Sequence, residues 1–186
     1  MDTVLTRIDV KTGDITAMSV EAIVNAANQT LLGGSGVDGA IHRAAGKRLL
    51  EHNRELGGCA IGQARITPSF DLAAGPIKQI IHTVGPVWHG APQLDVGANS
   101  ADGLLASCYE QCLKLAEATN VAQLAFPAIS TGVYRFPKLR AATIAVDRTV
   151  AWLKGHEQPG RVIFCCFRDA DAQIYRQVIA GYAATG

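Results

Sequence analysis

Residues Gly33–Ile41 read GGSGVDGAI, a glycine-rich turn that runs directly into a helical pattern. Glycines let the backbone approach a ligand closely, and the first turn of a helix offers free N–H groups and the positive end of its dipole. This combination predicts a loop that holds phosphate. Asp38 stands where the helix begins, and a carboxylate repels a phosphate at short range. We therefore expect a loop that binds a phosphorylated ligand and also acts on a group attached to it.

The same loop matches the pattern GxGxxG at Gly34, Gly36 and Gly39, which is typical of dinucleotide-binding folds. In those folds the glycines follow the first strand almost immediately, and an acidic residue ends the next strand about 20 residues later. Here residues 29–33 separate the strand from the glycines, and the position about 20 residues on falls near the end of a predicted helix. This context excludes the dinucleotide-binding fold. No Gly-Lys-Ser/Thr follows the glycines, so a P-loop is also excluded.

Short apolar runs alternate with stretches of helical periodicity along the chain. The predicted strands are Thr3–Val10, Glu21–Ala26, Gln63–Ser69, Ile77–Val84, Val121–Ile129 and Arg161–Phe167. The predicted helices are an apolar stripe from Val37 to Leu49, then Ala101–Ala118, Pro137–Lys154 and Ala170–Tyr182. Strands interleaved with helices predict a three-layer α/β/α sandwich. The sheet is expected to be mixed and mostly parallel, because two strand candidates adjoin at 63–84. Residues Gly85–Asp102 read as a long surface loop.

The length and composition limit the class of protein. A chain of 186 residues, 48% apolar, predicts one domain over residues 1–186 with a single core. The net charge of +1 argues against disorder and against a broad basic surface for nucleic acid. The number of cysteines is odd, five, and they form no CxxC pair, which favours a reduced, cytoplasmic protein. Buried thiols are expected for Cys108, Cys112, Cys165 and Cys166. We expect no secretory signal in MDTVLTRIDV, and no apolar run approaches the roughly 20 residues that span a bilayer.

A second loop, Ser130–Tyr134, follows a predicted strand and precedes a predicted helix. It offers hydroxyls and a glycine, as the first loop offers glycines and Ser35. Two such loops at strand ends of one α/β domain could converge on a crevice and hold two linked phosphates. Tyr134 could cover the ligand or could simply pack the loop.

Four further residues stand at strand ends with two interpretations each. The amides of Asn25 and Asn28 suit the hydroxyls of a sugar, or they cap turns. Asp14 could accept from an exocyclic amine of a base, or merely form a turn. Phe167 could stack on a base or belong to the core.

His42 and His82 are interpreted as structural or solvent-facing, because the histidines show no metal-binding spacing.

Six motifs together resemble the macrodomain family, and closest are the bacterial O-acetyl-ADP-ribose deacetylases of the MacroD type. In order they read GDIT, NAAN, GGSGVDGAIH, CAIGQA, IHTVGP and ISTGVY, and the resemblance runs from about Val4 to Tyr182. The family fold is a three-layer α/β/α sandwich with a mixed sheet, which agrees with the independent prediction. The resemblance thus implies one macro domain over residues 1–186, with an ADP-ribose crevice.

The resemblance also implies a role for each candidate residue. Asp14 would take the adenine amine, with Ile15 beside it and Phe167 flanking the base. Asn28 would reach the distal ribose, with Asn25 supporting the site. The diphosphate would lie between two sets of residues, Gly34, Ser35, Gly36 and Val37 on one side and Ser130, Thr131, Gly132, Val133 and Tyr134 on the other. Asp38 would be the catalytic carboxylate.

The implied reaction removes an acyl group from the distal ribose, or an ADP-ribose unit from an acidic side chain of a protein. We hypothesise that Asp38 orients or activates a water that a ligand phosphate also holds, with no metal, no cofactor and no covalent intermediate. The expected partners are ADP-ribose, its O-acyl esters and mono-ADP-ribosylated proteins, and the protein would be a monomer or weak dimer.

Three departures from the family pattern affect these expectations. Ser35 interrupts a run that is usually all glycine, and CAIGQA at 59–64 replaces a usual CPTG followed by a polar residue and Ala. Arg135 stands where a glycine usually follows the tyrosine, so it could face the phosphates or restrict the loop. The alternatives to an enzyme are a module that binds ADP-ribose without cleaving it and an RNA-binding domain. Asp38 favours the enzyme, and the near-neutral net charge argues against RNA as the main ligand.

Overall fold

The computed structural model describes residues 4–90 and 97–185, which carry six strands and five α-helices. The strands are β1 (Ile8–Thr12), β2 (Ala22–Ala26), β3 (Ala64–Pro68), β4 (Gln79–Thr83), β5 (Gln123–Phe126) and β6 (Arg161–Cys166). The helices are α1 (Gly36–Ala45), α2 (Lys47–Leu56), α3 (Ala101–Ala118), α4 (Lys138–Gly155) and α5 (Asp169–Thr185). Short 3₁₀ turns cover Leu5–Arg7, Ile15–Ala17 and Phe70–Ala74.

The strands form one sheet in the order β1-β6-β5-β2-β4-β3. Four of the five strand pairs are parallel, and only β3 runs antiparallel to its neighbour β4. The connection between them, which contains the Phe70–Ala74 turn, is too short for the crossover that a parallel pair needs. The predicted mixed, mostly parallel sheet is therefore confirmed.

Apolar side chains alternate between the two faces of the sheet, and each face packs against helices. Ile23 and Ile80 lie under Ile41 and Leu49 of α1 and α2. The opposite face packs against the other three helices, with Val24, Ile81, Phe126 and Phe164 beneath residues such as Leu113, Val146 and Tyr175. This arrangement confirms the three-layer α/β/α sandwich.

Two predicted strands differ from the observed strands at their ends. The first strand, predicted from Thr3, begins only at Ile8, where β1 comes into register with β6; Thr3 itself lies outside the described residues. Before it, Arg7 ends a 3₁₀ turn and donates to five backbone carbonyls between Leu153 and Gly160. The strand predicted over Val121–Ile129 ends at Phe126, because Pro127 has no N–H to continue a ladder.

The apolar stripe from Val37 to Leu49 predicted one continuous helix, and the structure divides it at Gly46. Gly46 has φ +80°, in the left-handed region that favours glycine, and a Cβ there would collide with the Asp71 carboxylate. The turn at 70–74 therefore fixes the break between α1 and α2. The bounds predicted for Ala101–Ala118 are confirmed, and Ser100 caps that helix by accepting from Gly103 N at 3.0 Å.

The five cysteines are all buried and free, which confirms the burial predicted for Cys108, Cys112, Cys165 and Cys166. Burial raises the pKa of Cys108 and of Cys165 to about 11, so both thiols stay protonated near neutral pH. In the described ranges, no helix is long and apolar enough to cross a bilayer. The predicted surface loop Gly85–Asp102 falls partly on 91–96, outside the described residues.

Candidate active site

A cavity of about 820 Å³ lies at the edge of the sheet where the parallel strands end. Segments that follow β1, β2, β4, β5 and β6 all contribute to its wall, which is the usual ligand position in open α/β sheets. The predicted site residues in the wall are Asp14, Ile15, Asn28, Gly34, Ser35, Gly36, Val37, Asp38, Ser130, Thr131, Gly132, Val133, Tyr134 and Phe167. Asn25 is the only predicted site residue outside the wall.

The first glycine loop rests directly on the first turn of α1. Gly36 has φ +61°, and a Cβ on Gly39 would lie only 2.6 Å from the carbonyl oxygen of Gly34. Glycine at position 39 therefore lets the loop backbone pack on the helix. The first turn of α1, whose N–H groups have no partner within the helix, lines the cavity through Gly36, Val37 and Asp38, as an anion site requires.

Asp38 is only 4% exposed, and its two carboxylate oxygens have different surroundings. Oδ1 accepts a hydrogen bond from Asn25 Nδ2 at 2.7 Å and lies 3.5 Å from His42 Nε2. Oδ2 has no hydrogen-bond partner among the described residues. Burial raises the pKa of Asp38, while the hydrogen bond from Asn25 and the charge of His42 act in the opposite direction.

Asn28 bonds to the start of the glycine loop beside Asp38. Its Nδ2 donates to Gly33 O at 2.9 Å, and its Oδ1 accepts from Thr30 N and Thr30 Oγ1 at 3.1 and 2.6 Å. The turn-capping interpretation of Asn28 is thus confirmed, and the side chain also lines the cavity. A Cβ on Gly34 would lie 3.0 Å from Asp38 Oδ2 and 3.5 Å from Asn28 Nδ2, so both side chains border the same space.

Asn25 supports Asp38 from behind the cavity wall. It is fully buried in β2, and its Nδ2 contacts both Asp38 Oδ1 and, at 3.0 Å, His82 Nδ1. His82 is also fully buried, so of its two interpretations, structural or solvent-facing, the structural one is confirmed. The sequence did not predict the contact between them, although both stand in apolar strand patterns.

The second loop, Ser130–Tyr134, lines the same cavity. Ser130 adopts φ +65°, is 7% exposed, and has no partner for Oγ among the described residues. Gly85 lies against it, and a Cβ there would collide with Ser130 Oγ. Val133 is 78% exposed at the tip, and Tyr134 O accepts from Trp88 N at 2.8 Å. The structure therefore brings the two predicted loops to one cavity.

Asp14 and Phe167 line the cavity just beyond the ends of the paired strands β1 and β6. Asp14 Oδ1 accepts from Thr16 N and Thr16 Oγ1 at 2.9 and 2.7 Å, so this oxygen caps the 3₁₀ turn at Ile15–Ala17. Phe167 is 81% exposed, so the core interpretation of this residue is wrong. Its ring lines the cavity, where it is free to stack on a planar ligand.

Several residues of the wall escaped sequence reasoning. They are Gly13, Ala26, Ala27, Ala40, Arg43, Gly85, Pro127, Ala128, Lys138, Cys165, Arg168 and Asp171. Half of them follow the end of a strand, so the sheet topology would have located these. Lys138 and Asp171 form an ion pair of 2.6 Å between the starts of α4 and α5, which no local pattern signals.

The departures from the family pattern have distinct positions. The segment 59–64 packs beneath the first loop, with Cys59 N donating to Gln29 O at 2.9 Å. Arg135 adopts φ +58°, is exposed, and does not belong to the cavity wall.

Among residues 4–90 and 97–185, no three His, Cys, Asp or Glu side chains are grouped to hold a metal ion.

Comparison with known proteins agrees with this architecture. The Macro domain family model matches residues 24–145. The O-acetyl-ADP-ribose deacetylase of Enterobacter sp. (strain 638) is 49% identical over 177 residues, covering 93% of each chain. Human ADP-ribose glycohydrolase MACROD2 is 48% identical over 172 residues, which are 92% of this chain and 39% of that protein.

Solved structures share the fold over nearly the whole chain. The Trypanosoma brucei macrodomain in complex with ADP-ribose has a TM-score of 0.85 at 35% identity, covering 96% of this chain and 71% of that one. The Oceanobacillus iheyensis macrodomain with ADP has a TM-score of 0.84 at 37% identity, covering 96% and 93%. The resemblance seen in the six motifs is confirmed, and the chain belongs to the macro domain family.

Proposed function

We propose that this protein is a hydrolase that binds ADP-ribose in the cavity and removes the acyl group from O-acetyl-ADP-ribose. The observation that carries the proposal is the state of Asp38, a buried carboxylate with one oxygen held by Asn25 and the other without a partner among the described residues. A pure binding site gains nothing from such an anion beside a diphosphate. The names of the relatives and the ligands of the solved neighbours support the same chemistry.

The ligand would lie along the cavity with its adenine at the end near Asp14, Ile15 and Phe167. Asp14 Oδ2, which the turn does not use, would accept from the adenine amine, and the exposed ring of Phe167 would stack on the base. The diphosphate would lie between the two loops, Gly34–Val37 and Ser130–Tyr134. The distal ribose would then reach the space that Asp38 and Asn28 border.

In the proposed reaction, Asp38 Oδ2 orients a water and accepts its proton while the water oxygen attacks the acyl carbonyl carbon. The bond between that carbon and the ribose oxygen breaks, the ribose oxygen takes up a proton, and acetate and ADP-ribose leave. A phosphate oxygen of the ligand would hold the same water. General-base assistance of this kind contributes roughly 10²–10⁴-fold in rate. Because burial raises the pKa of Asp38, kcat/KM should fall with decreasing pH before an ordinary aspartate would protonate.

Release of ADP-ribose from mono-ADP-ribosylated acidic side chains is proposed as a second reaction of the same site. The bond cleaved is again an ester on the distal ribose, and the human relative is named an ADP-ribose glycohydrolase. Metal-independent catalysis, a cytoplasmic location, a single domain over 1–186 and a monomer or weak dimer stay predictions. Turnover in the presence of EDTA tests the first of them.

The test is incubation with O-acetyl-ADP-ribose and detection of free ADP-ribose and acetate, with Asp38→Ala and Asp38→Asn beside the wild type. We expect turnover in the wild type and a loss of about 10²-fold or more in both variants. Affinity for ADP-ribose should persist or improve, because a negative charge near the diphosphate is removed. Asp9→Ala, which removes a surface carboxylate paired with Arg161, is the matched control and should keep full activity. Binding without product in the wild type would instead identify a non-catalytic ADP-ribose-binding module.

A further inference from the structure

We infer that His82 is a positioning residue for the reaction, acting on Asp38 through the side-chain amide of Asn25. The inference rests on the proposed function for its kinetic consequence and on the fold for its geometry. His82 does not line the cavity, so it touches no substrate. It would hold Oδ1 of Asp38 in place through Asn25, so that Oδ2 remains available to accept a proton from the attacking water.

The strand register places the required side chains in a row on one face of the sheet. Asn25 of β2 and His82 of β4 are direct partners in the parallel pair, and Thr67 of β3 lies on the same face beyond them. Asn25 Nδ2 is 3.0 Å from His82 Nδ1, and His82 Nε2 is 3.1 Å from Thr67 Oγ1. With the 2.7 Å bond from Asn25 to Asp38 Oδ1, a continuous polar chain links the cavity to the outermost strand β3.

The donors and acceptors in this chain can be assigned from chemistry. An amide nitrogen carries two hydrogens and no acceptor, so Asn25 Nδ2 donates to both Asp38 Oδ1 and His82 Nδ1. His82 must therefore accept at Nδ1 and carry its proton at Nε2, which donates to Thr67 Oγ1. Burial lowers the pKa of His82 to about 3, with the charges of His42 and His52 adding to the effect. The ring is thus neutral at working pH, in this one tautomer.

The Asp38 carboxylate, which only accepts, sets the orientation of the Asn25 amide, and the His82 tautomer with an acceptor at Nδ1 reinforces that orientation. A flipped amide would turn its oxygen toward the Asp38 carboxylate and toward the lone pair of His82 Nδ1, so both contacts would become repulsive. The three residues are buried, at 0% exposure for Asn25 and His82 and 4% for Asp38, so water does not compensate for a wrong orientation. The Asn25 amide consequently holds Asp38 Oδ1, and Asp38 Oδ2 borders the space beside Gly34.

Among the described residues, few other polar or charged groups lie near this row of hydrogen-bonded side chains. His42 of α1 lies 3.5 Å from Asp38 Oδ1, and Asn28 borders the free oxygen Oδ2 without charge. His52 belongs to α2, and Arg65, the direct β3 partner of His82, is exposed and donates to its neighbour Ala64 O. The neutral row Asn25–His82–Thr67 is therefore the part of the surroundings that stabilises the ionised form of Asp38 by hydrogen bonding.

Two substitutions and a control separate positioning from packing. His82→Leu removes both ring nitrogens, whereas His82→Asn offers a side-chain oxygen near the position of Nδ1 and should restore the acceptor. We expect His82→Leu to lower kcat on O-acetyl-ADP-ribose about tenfold, with KM and ADP-ribose Kd within about twofold, and to move the acid limb of the pH profile upward. His82→Asn should recover most of the loss. Thr67→Val changes only the residue of this hydrogen-bonded row that is farthest from Asp38, so it should have the smallest effect on kcat.

Unchanged kcat and acid limb in His82→Leu would overturn the inference, as would equal losses in His82→Leu and His82→Asn, since those would reflect packing alone. A readout without turnover keeps the test independent of the proposed function. Nitrogen-15 NMR of the wild type should show His82 protonated at Nε2 only, and the carbon-13 titration of the Asp38 carboxyl should move to higher pH in His82→Leu. A proton on Nδ1, or an unmoved Asp38 titration, would overturn the inference even if O-acetyl-ADP-ribose is not a substrate. Absent turnover with both NMR results as expected would overturn only the proposed function.

Discussion

Gly34 faces Asp38 across the space where the proposed reaction takes place. A Cβ on Gly34 would lie 3.0 Å from Asp38 Oδ2, the carboxylate oxygen that has no partner among the described residues. Gly34 does not belong to the residues with positive φ, so its backbone conformation is open to other amino acids. Glycine is therefore required at position 34 because a side chain would crowd the Asp38 carboxylate, and not because the backbone is strained.

This relationship predicts that Gly34→Ala impairs turnover more than folding. The added methyl group would occupy the space beside Oδ2 and push the carboxylate or Asn28 by a few tenths of an ångström. We expect kcat on O-acetyl-ADP-ribose to fall at least tenfold while the melting temperature stays within a few degrees, because misplacing a reacting group is costly. Gly155→Ala, at the open end of α4, is the control for adding a methyl group without contact. Full activity in Gly34→Ala would show that Oδ2 is not the working oxygen.

The sequence predicted the elements and loops of this site because their signals are local. Periodicity located the strands, and the glycines of the first loop marked a backbone that packs closely on a helix, as Gly39 does against the carbonyl of Gly34. The second loop, 130–134, was found by the same logic. Convergence of the two loops followed from the rule that ligands bind at the carboxyl ends of parallel strands.

The contacts that escaped prediction depend on strand register and on distant segments. Asn25 and His82 are 57 positions apart in the sequence, and they meet because β2 and β4 pair in one particular register. The break at Gly46 depends on Asp71, which comes from a different segment. A slip of one residue in register would move every side chain to the opposite face, so periodicity alone cannot specify such partners.

Phe167→Ala should weaken binding of ADP-ribose and ADP without affecting stability. The ring is 81% exposed, so its removal leaves no cavity in the core, whereas stacking of a base on an aromatic ring contributes about 1–3 kcal/mol. Titration calorimetry should show a loss of roughly tenfold for both ligands and no loss for ribose 5-phosphate, which has no base. Leu139→Ala, a similarly exposed apolar residue outside the cavity wall, provides the control. Equal affinities of wild type and Phe167→Ala would contradict the placement of adenine at this end.

Asp14→Asn is expected to change the base preference while it keeps the local turn. The amide oxygen can still accept from Thr16 N and Thr16 Oγ1, so the cap of the 3₁₀ turn persists. The amide nitrogen would replace Oδ2 and face the adenine amine, donor against donor, and affinity for ADP-ribose should fall about tenfold. The hypoxanthine analogue, with an oxygen in place of the amine, should bind the variant better than the wild type. If both ligands respond alike, Asp14 does not contact the base.

His82 should make the stability of the fold fall below about pH 6.5, the usual pKa of an unfolded histidine. Burial holds the folded pKa at about 3, so between these values the unfolded chain binds a proton that the folded chain excludes. Stability from this group is therefore complete above pH 6.5 and is lost as the pH falls, by about 2 kcal/mol at pH 5. Urea unfolding at pH 7 and pH 5 should show this extra loss in the wild type and not in His82→Asn, with the other histidines common to both. Equal pH dependence in the two proteins would mean that His82 is protonated in the folded state, and the neutral tautomer on which Asn25 depends would not exist.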